Sequence, residues 1–394
     1  MSDIHARLVR LAASGRFDAV LRAAAGLPDD GGAAQAFKHG AAALKRNDAF
    51  SAAAAFETVR RLDPAFPALA EALTAAYRRD ARYVDALAAS EGQNGRQCRF
   101  ERALSLLALG RGAEALTELD AILAADPDHA ASWFASHAPA LEVHGLDEAR
   151  HRLVRATACV GANGKYWGYL ASYALLAGDP AAETLLRDHV DPFPARRALA
   201  DGIRALLPHC GGSPRLFGLS ASVLRFALEQ AVLPGLVLEF GVRRGTSVTV
   251  LAQAAGQAVH GFDSFEGLPQ SWGAEPAGVL TCGAQLPPVP DNVTLHAGWF
   301  EDTLEPFLAD HADPVRLVNV DSDIYASARF VLERLKGRIL PGTVLVFDEF
   351  VGNRTWALDE FKAFAEFVAE SGIGWRVLAL APHTKQVVIR VEES

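Results

Sequence analysis

The chain has 394 residues, half of them apolar, which is enough for two or more domains with proper cores and argues against global disorder. A formal net charge of −9 disfavours nucleic acid or an anionic membrane surface as the main partner. No apolar run approaches the roughly 18–20 residues of a membrane span. The opening MSDIHARLVRLAASGRFDAV mixes charges into its apolar positions and lacks a signal-peptide core, so a cytoplasmic protein is expected. Cys98, Cys159, Cys210 and Cys282 lie far apart and form no C-x-x-C, so neither a disulfide framework nor a thiolate zinc site is expected.

In chain order, the stretch up to about residue 190 is Ala-rich and helical in period, with almost no strand-like runs. A turn recurs through it: SGRFDA, RNDAFSA, RDARYVDA, LGRGAEA, HGLDEA and AGDPAAE. With Gly15, Asn47, Asp80, Gly110, Gly145 and Gly178 as markers, the gaps are 32, 33, 30, 35 and 33 residues. Such a period, with Ala-rich helices after each turn and Asp63-Pro64 and Asp126-Pro127 at unit ends, predicts stacked helical hairpins. One hairpin cannot bury its apolar face alone, so neighbours must stack. The segment resembles degenerate tetratricopeptide repeats in which the large aromatics of the consensus are mostly missing. The resemblance implies an all-α solenoid that offers a surface to a peptide, a protein or a second copy of the chain. A helical domain over residues 1–195 and a second domain over 196–394 are therefore expected, and a homo-oligomer with them.

From about residue 213 the pattern changes. SPRLFGLSASVLRFALEQAV reads as an amphipathic helix. Strands and helices then alternate: LVLEF (236–240), a helix from Thr246, AVHGF (258–262), VTLHA (293–297), a helix from Glu301, RLVNV (316–320), a helix to about Arg338, TVLVF (343–347) and a helix near 355–371. WRVLAL and KQVVIRV close the chain. The alternation predicts a parallel, doubly wound sheet. Only APHT separates the last two strands, too little for a crossover helix, so they form a hairpin and the final strand is reversed.

The first strand runs into LEFGVRRGTS, where Gly241 and Gly245 let the backbone approach a ligand and the next helix offers free N–H groups. An acid, Glu239, followed by G-x-x-x-G suits an ammonium and a carboxylate better than a pyrophosphate. Asp263 ends the second strand 24 residues later, where an acid can accept hydrogen bonds from two ribose hydroxyls. Together the two features point to a nucleoside-type cofactor.

Ligands of open α/β sheets bind outside the carboxyl ends of the strands. Asp321 and Asp323 follow the fourth strand and Asp348 and Glu349 the fifth, so these acids should converge. Clustered carboxylates repel unless protonated or neutralised, and a hard divalent cation such as Mg²⁺ would resolve the conflict. Singly, Asp348 also suits a cap on the turn into the next helix, and Asp323 a cap on the helix near Ala326. His296 and His383 are further candidates for a base or a substrate contact. The loop EGLPQSWGAEPAGVLTCGAQLPPVPDN is long enough to act as a lid, with Trp272 near its middle, and Tyr325 follows the acids closely enough to line the same pocket.

EFGVRRGTS, GFDSFEGLP, HAGWFEDTL, VDSDIY and PGTVLVFDEF, in this order, resemble the macrocin O-methyltransferase family over residues 213–394. Its members are metal-requiring enzymes that use S-adenosylmethionine to methylate sugar hydroxyls in antibiotic biosynthesis. The resemblance implies a class I methyltransferase sheet of Rossmann-like type with its last strand reversed. It also implies that Glu239, Gly241, Gly245, Thr246 and Ser247 hold the methionine part of the cofactor. Asp263 and Ser264 would hold its ribose, and Gly298, Trp299 and Phe300 would lie by the adenine. Mg²⁺ ligation falls to Asp321, Asp348 and Glu349, although the family more usually has two aspartates at the last pair. Asp323 is the implied general base, with His383 as an additional catalytic candidate. Two other functions are compatible with parts of the pattern: a glycosyltransferase using Asp321-Ser322-Asp323 as a D-x-D motif, and an inactive repeat scaffold.

Overall fold

The structure, a computed structural model, describes residues 3–14, 16–29 and 31–393. The chain forms two compact units, Met1–Pro127 and Asp128–Ser394, so residue 195, expected to end the helical domain, lies inside the second.

The first unit contains α1 (Asp3–Ala13), α2 (Phe17–Ala23), α3 (Ala33–Lys45), α4 (Ala49–Leu62), α5 (Leu69–Arg79), α6 (Tyr83–Ala89), α7 (Arg96–Ala108) and α8 (Gly112–Ala125). Small residues let these helices approach closely, and a few aromatics fill the remaining space. A Cβ on Gly40 would lie 2.6 Å from the Phe56 ring, and Phe37 packs against Phe56 and Phe66 with ring centroids 5.2 and 4.9 Å away. The recurring turns work through backbone conformation. Asn47 (φ 62°), Ala81 (φ 57°) and Gly110 (φ 73°) are left-handed, the geometry that ends one helix and starts the next. The first marker, Gly15, lies outside the described residues.

Two more such hairpins open the second unit: α9 (Ala130–His144) with α10 (Leu146–Ala158), turning at Gly145, and α11 (Lys165–Leu176) with α12 (Ala181–Leu185), turning at Gly178. α13 (Pro194–Leu206) follows. The rest supplies strands β1 (Arg215–Leu216), β2 (Leu236–Phe240), β3 (Val259–Asp263), β4 (Val293–Ala297), β5 (Val315–Val320), β6 (Val344–Phe347), β7 (Gly374–Ala381) and β8 (Gln386–Glu392). Between them lie α14 (Ser220–Gln230), α15 (Thr246–Ala255), α16 (Phe300–Asp310), α17 (Tyr325–Leu335) and α18 (Glu360–Ser371). The sheet order is β1-β7-β8-β6-β5-β2-β3-β4, and β8 runs antiparallel to both neighbours while the other pairings are parallel. The reversed last strand is therefore as expected.

The late repeat helices belong to the sheet because their apolar faces are buried with it. Leu141, Tyr173, Leu199 and Ile203 share one core with Phe240, Val318, Phe347 and Ile389. Each such side chain, fully buried, contributes roughly 1.5–3 kcal/mol. A polar clamp adds direction: Glu142 of α9 accepts from the N–H groups of Gly218 (3.1 Å) and Leu219 (3.0 Å) and from the Ser222 hydroxyl (2.7 Å). Leu219 is the N-cap residue of α14, so a side chain distant in sequence anchors the start of that helix. Gly218 is needed for the approach, since a Cβ there would lie 1.8 Å from the Ala138 carbonyl oxygen. The helix expected from residue 213 accordingly starts at Ser220, and Arg215–Leu216 instead pair with β7.

At the far edge of the sheet, His260 Nδ1 and His296 Nε2 are 3.2 Å apart, with the His311 ring beside His260. Burial first, then His296 and His311, lower His260 to about 4, and burial followed by His311 lowers His296. Because the folded pKa lies below the unfolded one, the unfolded chain binds protons first, and this stability falls as pH drops from about 6.5 towards 4. The melting advantage of the wild type over His260→Gln should thus be larger at pH 7.5 than at pH 4.5. An equal difference at the two pH values would refute the role of the pair. Buried acids elsewhere act in the opposite sense but cancel in this comparison.

Candidate active site

Five parallel strands end along one edge, and their ends interlock. The Gly241 N–H donates to Phe262 (2.9 Å), Asp321 to Phe240 (2.8 Å), Asp348 to Val320 (3.0 Å) and Gly298 to Asp263 (2.9 Å), each to a backbone carbonyl. This brings the turn after β2, the end of β3, and the acids after β5 and β6 to one line. Gly241 (φ 99°) turns directly over the end of β5, where a Cβ would lie 1.8 Å from the Asp321 carbonyl oxygen.

Glu239, the penultimate residue of β2, is fully buried just before this crossing. The Ser247 hydroxyl donates to its Oε1, while Oε2 is buried without a protein partner. Burial, eased by Ser247 but reinforced by Asp348 and Asp263, pushes its pKa up to about 8. Asp263 is committed to shaping the loop. One oxygen accepts from the N–H groups of Val242 (2.8 Å) and Arg243 (2.7 Å), and the other from Phe265 (2.7 Å). A carboxylate has about four lone-pair sites, so one acceptor position remains for a ligand. Gly245 (φ 80°) precedes α15, whose first residues are Thr246 and Ser247, and Ser264 accepts from the Glu266 N–H (3.2 Å). Across β3, Gly298 (φ 145°) and Trp299 lead into α16, and the Phe300 ring packs edge-on against Phe240 at 5.3 Å.

The acids after β5 and β6 do converge. Burial, then Asp348, Asp323, Glu239 and Glu360, hold the Asp321 carboxyl well above its usual range. Asp323 is only 8% exposed and left-handed (φ 62°), and burial together with Glu349 and Asp348 raises it too. Asp348 is raised by burial and by Glu349, and accepts a 2.6 Å hydrogen bond from Gln386. Glu349 is engaged differently: its Oε2 pairs with Lys385 Nζ at 2.7 Å. Glu360, fully buried at the start of α18, accepts from the N–H groups of Ser322 (3.1 Å) and Asp323 (3.2 Å) and so fixes the turn carrying Asp323.

Glu360, Lys385 and Gln386 are partners of these acids that no local sequence motif signals. Gln386 reaches Asp348 because β8 inserts beside β6 with Phe347 opposite Val387, and that strand order is not written in any local motif. Of the other sequence candidates, His296 lies on edge strand β4, three strands from β5, stacked on Phe262 at 4.4 Å. His383 lies in the β7–β8 turn against Phe134 and His137. The Tyr325 hydroxyl donates to Glu366 of α18 (2.5 Å), and Trp272 Nε1 donates to Asp359 (3.2 Å), tying the long loop to the segment before α18.

Asp321 and Asp348 are mutually repelling, buried oxygen donors, and their chemistry fits a hard divalent ion. Among the described residues no group of three or more His, Cys, Asp or Glu is gathered to hold a metal, in keeping with the engagement of Glu349 by Lys385. Buried polar atoms without protein partners cluster at the same strand ends: Glu239 Oε2, both side-chain polar atoms of Asn319, Ser322 Oγ and Glu360 Oε2.

A parallel sheet with one reversed strand, a glycine turn after its first central strand and acids after the next two define a methyltransferase-type domain. Residues 238–350 match the family described as methyltransferase domain. A comparison with curated proteins finds no match for the chain. Among solved structures the chain is similar to the O-methyltransferase NovP, with 20% identity, 44% of this chain and 79% of that chain covered, and a TM-score of 0.35. For the calicheamicin methyltransferase CalS11 the figures are 20% identity, 57% and 91% coverage and 0.36. For MamA from residue 41 onward of Desulfovibrio magneticus RS-1 they are 16%, 42%, 96% and 0.37. Among the described residues no helix is long and apolar enough to cross a membrane.

Proposed function

We propose that the second unit is an S-adenosylmethionine-dependent O-methyltransferase acting on a hydroxyl of a sugar or another natural product. The observation that carries this reading is the adjacency of the Glu239–Gly245 turn to the Asp321, Asp323 and Asp348 carboxylates, whose charges act on one another. S-adenosylmethionine, when bound, supplies an electrophilic methyl group. Glu239, with one buried oxygen unpartnered, is the acceptor for its ammonium group, and the helix start at Thr246 and Ser247 offers N–H groups to its carboxylate. The remaining lone pair of Asp263, with Ser264, serves the ribose, and Gly298, Trp299 and Phe300 border the adenine.

Asp321 and Asp348 would hold Mg²⁺, whose charge would supply Lewis acidity beside the acceptor hydroxyl. Glu349 joins them only through the oxygen that Lys385 leaves open. Asp323, pinned by Glu360, takes the proton of the acceptor hydroxyl as general base. Holding the two reactants in line contributes the larger part of the rate. The helical repeats of the first unit would serve a peptide, protein or second-copy partner.

Calorimetry with S-adenosylmethionine, S-adenosylhomocysteine and nucleotide sugars tests the reading. Binding of the first two is expected; binding of nucleotide sugars alone would favour the D-x-D glycosyltransferase and sink the proposal. If none of them bound, the inactive scaffold would take its place.

A further inference from the structure

Beside the strand-end acids, and joined to them by the Lys385–Glu349 ion pair, stands a second cluster. It joins α9 and α11, two helices of repeat type, to the β7–β8 turn. Phe134 stacks on Tyr166 with centroids 4.4 Å apart and meets Tyr169 edge-on at 4.9 Å. His383 approaches Phe134 at 5.7 Å and His137 at 5.1 Å. Lys165 Nζ lies 4.9 Å from the centre of the Phe134 ring, and Lys385 reaches from the same turn to Glu349 at 2.7 Å.

Two features of this cluster ask for a ligand. The first is charge. Lys385 is neutralised by Glu349, but no carboxylate among the described residues pairs with Lys165, which keeps solvent access. Burial first, then the Lys385 charge, lowers its pKa, so the two ammonium groups lie near enough to repel each other. The second is unmet hydrogen bonding. His137 is fully buried, and its Nδ1 faces the Phe134 carbonyl. A carbonyl can only accept, so Nδ1 carries the proton and Nε2 presents a lone pair. That Nε2, and Nδ1 of His383, are buried with no protein partner. Burial lowers both histidines and the nearby ammonium charges add to the effect, so both rings are neutral and able to accept as well as donate.

We propose that Phe134, His137, Lys165, Tyr169, His383 and Lys385 form a subsite for the oxyanion of a hydroxylated acceptor, a phosphate or a carboxylate. Lys165 is its ion-pair partner, and His137 Nε2 accepts from an adjacent hydroxyl. The placement as an acceptor subsite rests on the methyltransferase reading, because Lys385 and Gln386 of the same turn hold Glu349 and Asp348. The oxyanion binding itself does not. The acceptor class is thereby narrowed to anionic sugars and related hydroxylated anions, and the repeat-type helices become part of substrate recognition.

The test is an NMR titration of the full chain in EDTA at pH 7.5 with glucose 6-phosphate, glucuronate and glucose, with S-adenosylhomocysteine titrated separately. EDTA removes metal-mediated binding. At least one anion should bind about tenfold more tightly than glucose, and the stronger of the two identifies phosphate or carboxylate. Lys165→Gln should weaken that anion about tenfold, and Lys165→Arg should restore it to within about threefold of wild type. Binding of glucose as tight as that of the anions, no binding of either anion, or an unchanged affinity in Lys165→Gln would overturn the subsite. Lys165-dependent anion binding without S-adenosylhomocysteine binding would instead remove the methyltransferase reading and leave the oxyanion site standing.

Discussion

Gly241→Ala should abolish S-adenosylhomocysteine binding and lower the melting temperature of the second unit by roughly 10 °C. Two costs add at this position. The backbone is held at φ 99°, a region that side-chain-bearing residues rarely enter. The added Cβ would also meet the Asp321 carbonyl oxygen at 1.8 Å, a backbone atom that no rotamer change can move. Relief requires β2 and β5, central neighbours in the sheet, to separate where Asp321 N–H bonds to Phe240. A penalty of about 4 kcal/mol is at the upper end of single-substitution effects, and each kcal/mol shifts a domain of this size by about 2–4 °C. The same shift moves Glu239 and the start of α15 away from each other. Differential scanning calorimetry and calorimetric binding measure both effects; a variant that melts within about 2 °C of wild type and keeps its affinity would refute the crossing as a constraint.

Asp321→Asn is expected to stabilise the metal-free protein while removing its response to Mg²⁺. Asp321 stands among buried acids, and its pKa is raised by burial and by the charges of Asp348, Asp323, Glu239 and Glu360. With a folded pKa above the unfolded one, the wild type loses stability as pH rises through the range between them, so the benefit of an uncharged amide grows with pH. A gain of a few degrees in EDTA at pH 8 is expected, because at that pH the wild type must either bury an unneutralised charge or take up a proton on folding. Mg²⁺ at about a hundred times its dissociation constant should raise the wild type by roughly 5–10 °C and the variant hardly at all. Equal Mg²⁺ responses in the two proteins would remove Asp321 from the ion's coordination. A less stable variant in EDTA would mean that the carboxylate serves the fold.

Stability and chemistry thus pull against each other at the end of β5. Glu360 resolves part of the conflict by accepting from the N–H groups of Ser322 and Asp323, which holds Asp323 in its left-handed conformation. Lys385, in the β7–β8 turn, and Gln386, at the start of the reversed strand, resolve another part. The domain keeps a costly group of acids because neighbouring elements constrain it, as strained or unneutralised groups at functional sites generally require.

Much of this arrangement was legible in the linear chain. Strand and helix alternation, the short APHT connection and the turn spacing are local signals: they depend on periodicity, on chain length between elements and on residues that accept left-handed backbone. They located Glu239, Gly241, Asp263, Asp321, Asp323 and Asp348 at the ends of successive strands, and the fold places those ends on one edge. Other features were set by pairings that no local pattern carries. The compact division falls at Pro127 because α9, α11 and α13 bury their apolar faces against the sheet, although their turns have the same spacing as those before them. Glu142 anchors the start of α14 from 76 residues away, and Glu360 reaches Ser322 across 38. Insertion of β8 beside β6 gives Asp348 and Glu349 their partners, Gln386 and Lys385. The sequence by itself determined which elements form and which of them end in acids, because those are properties of consecutive residues. Which charges are neutralised, and which repeat helices join the sheet, only the tertiary structure decided, because burial and Coulomb energies depend on distances between residues far apart in the chain.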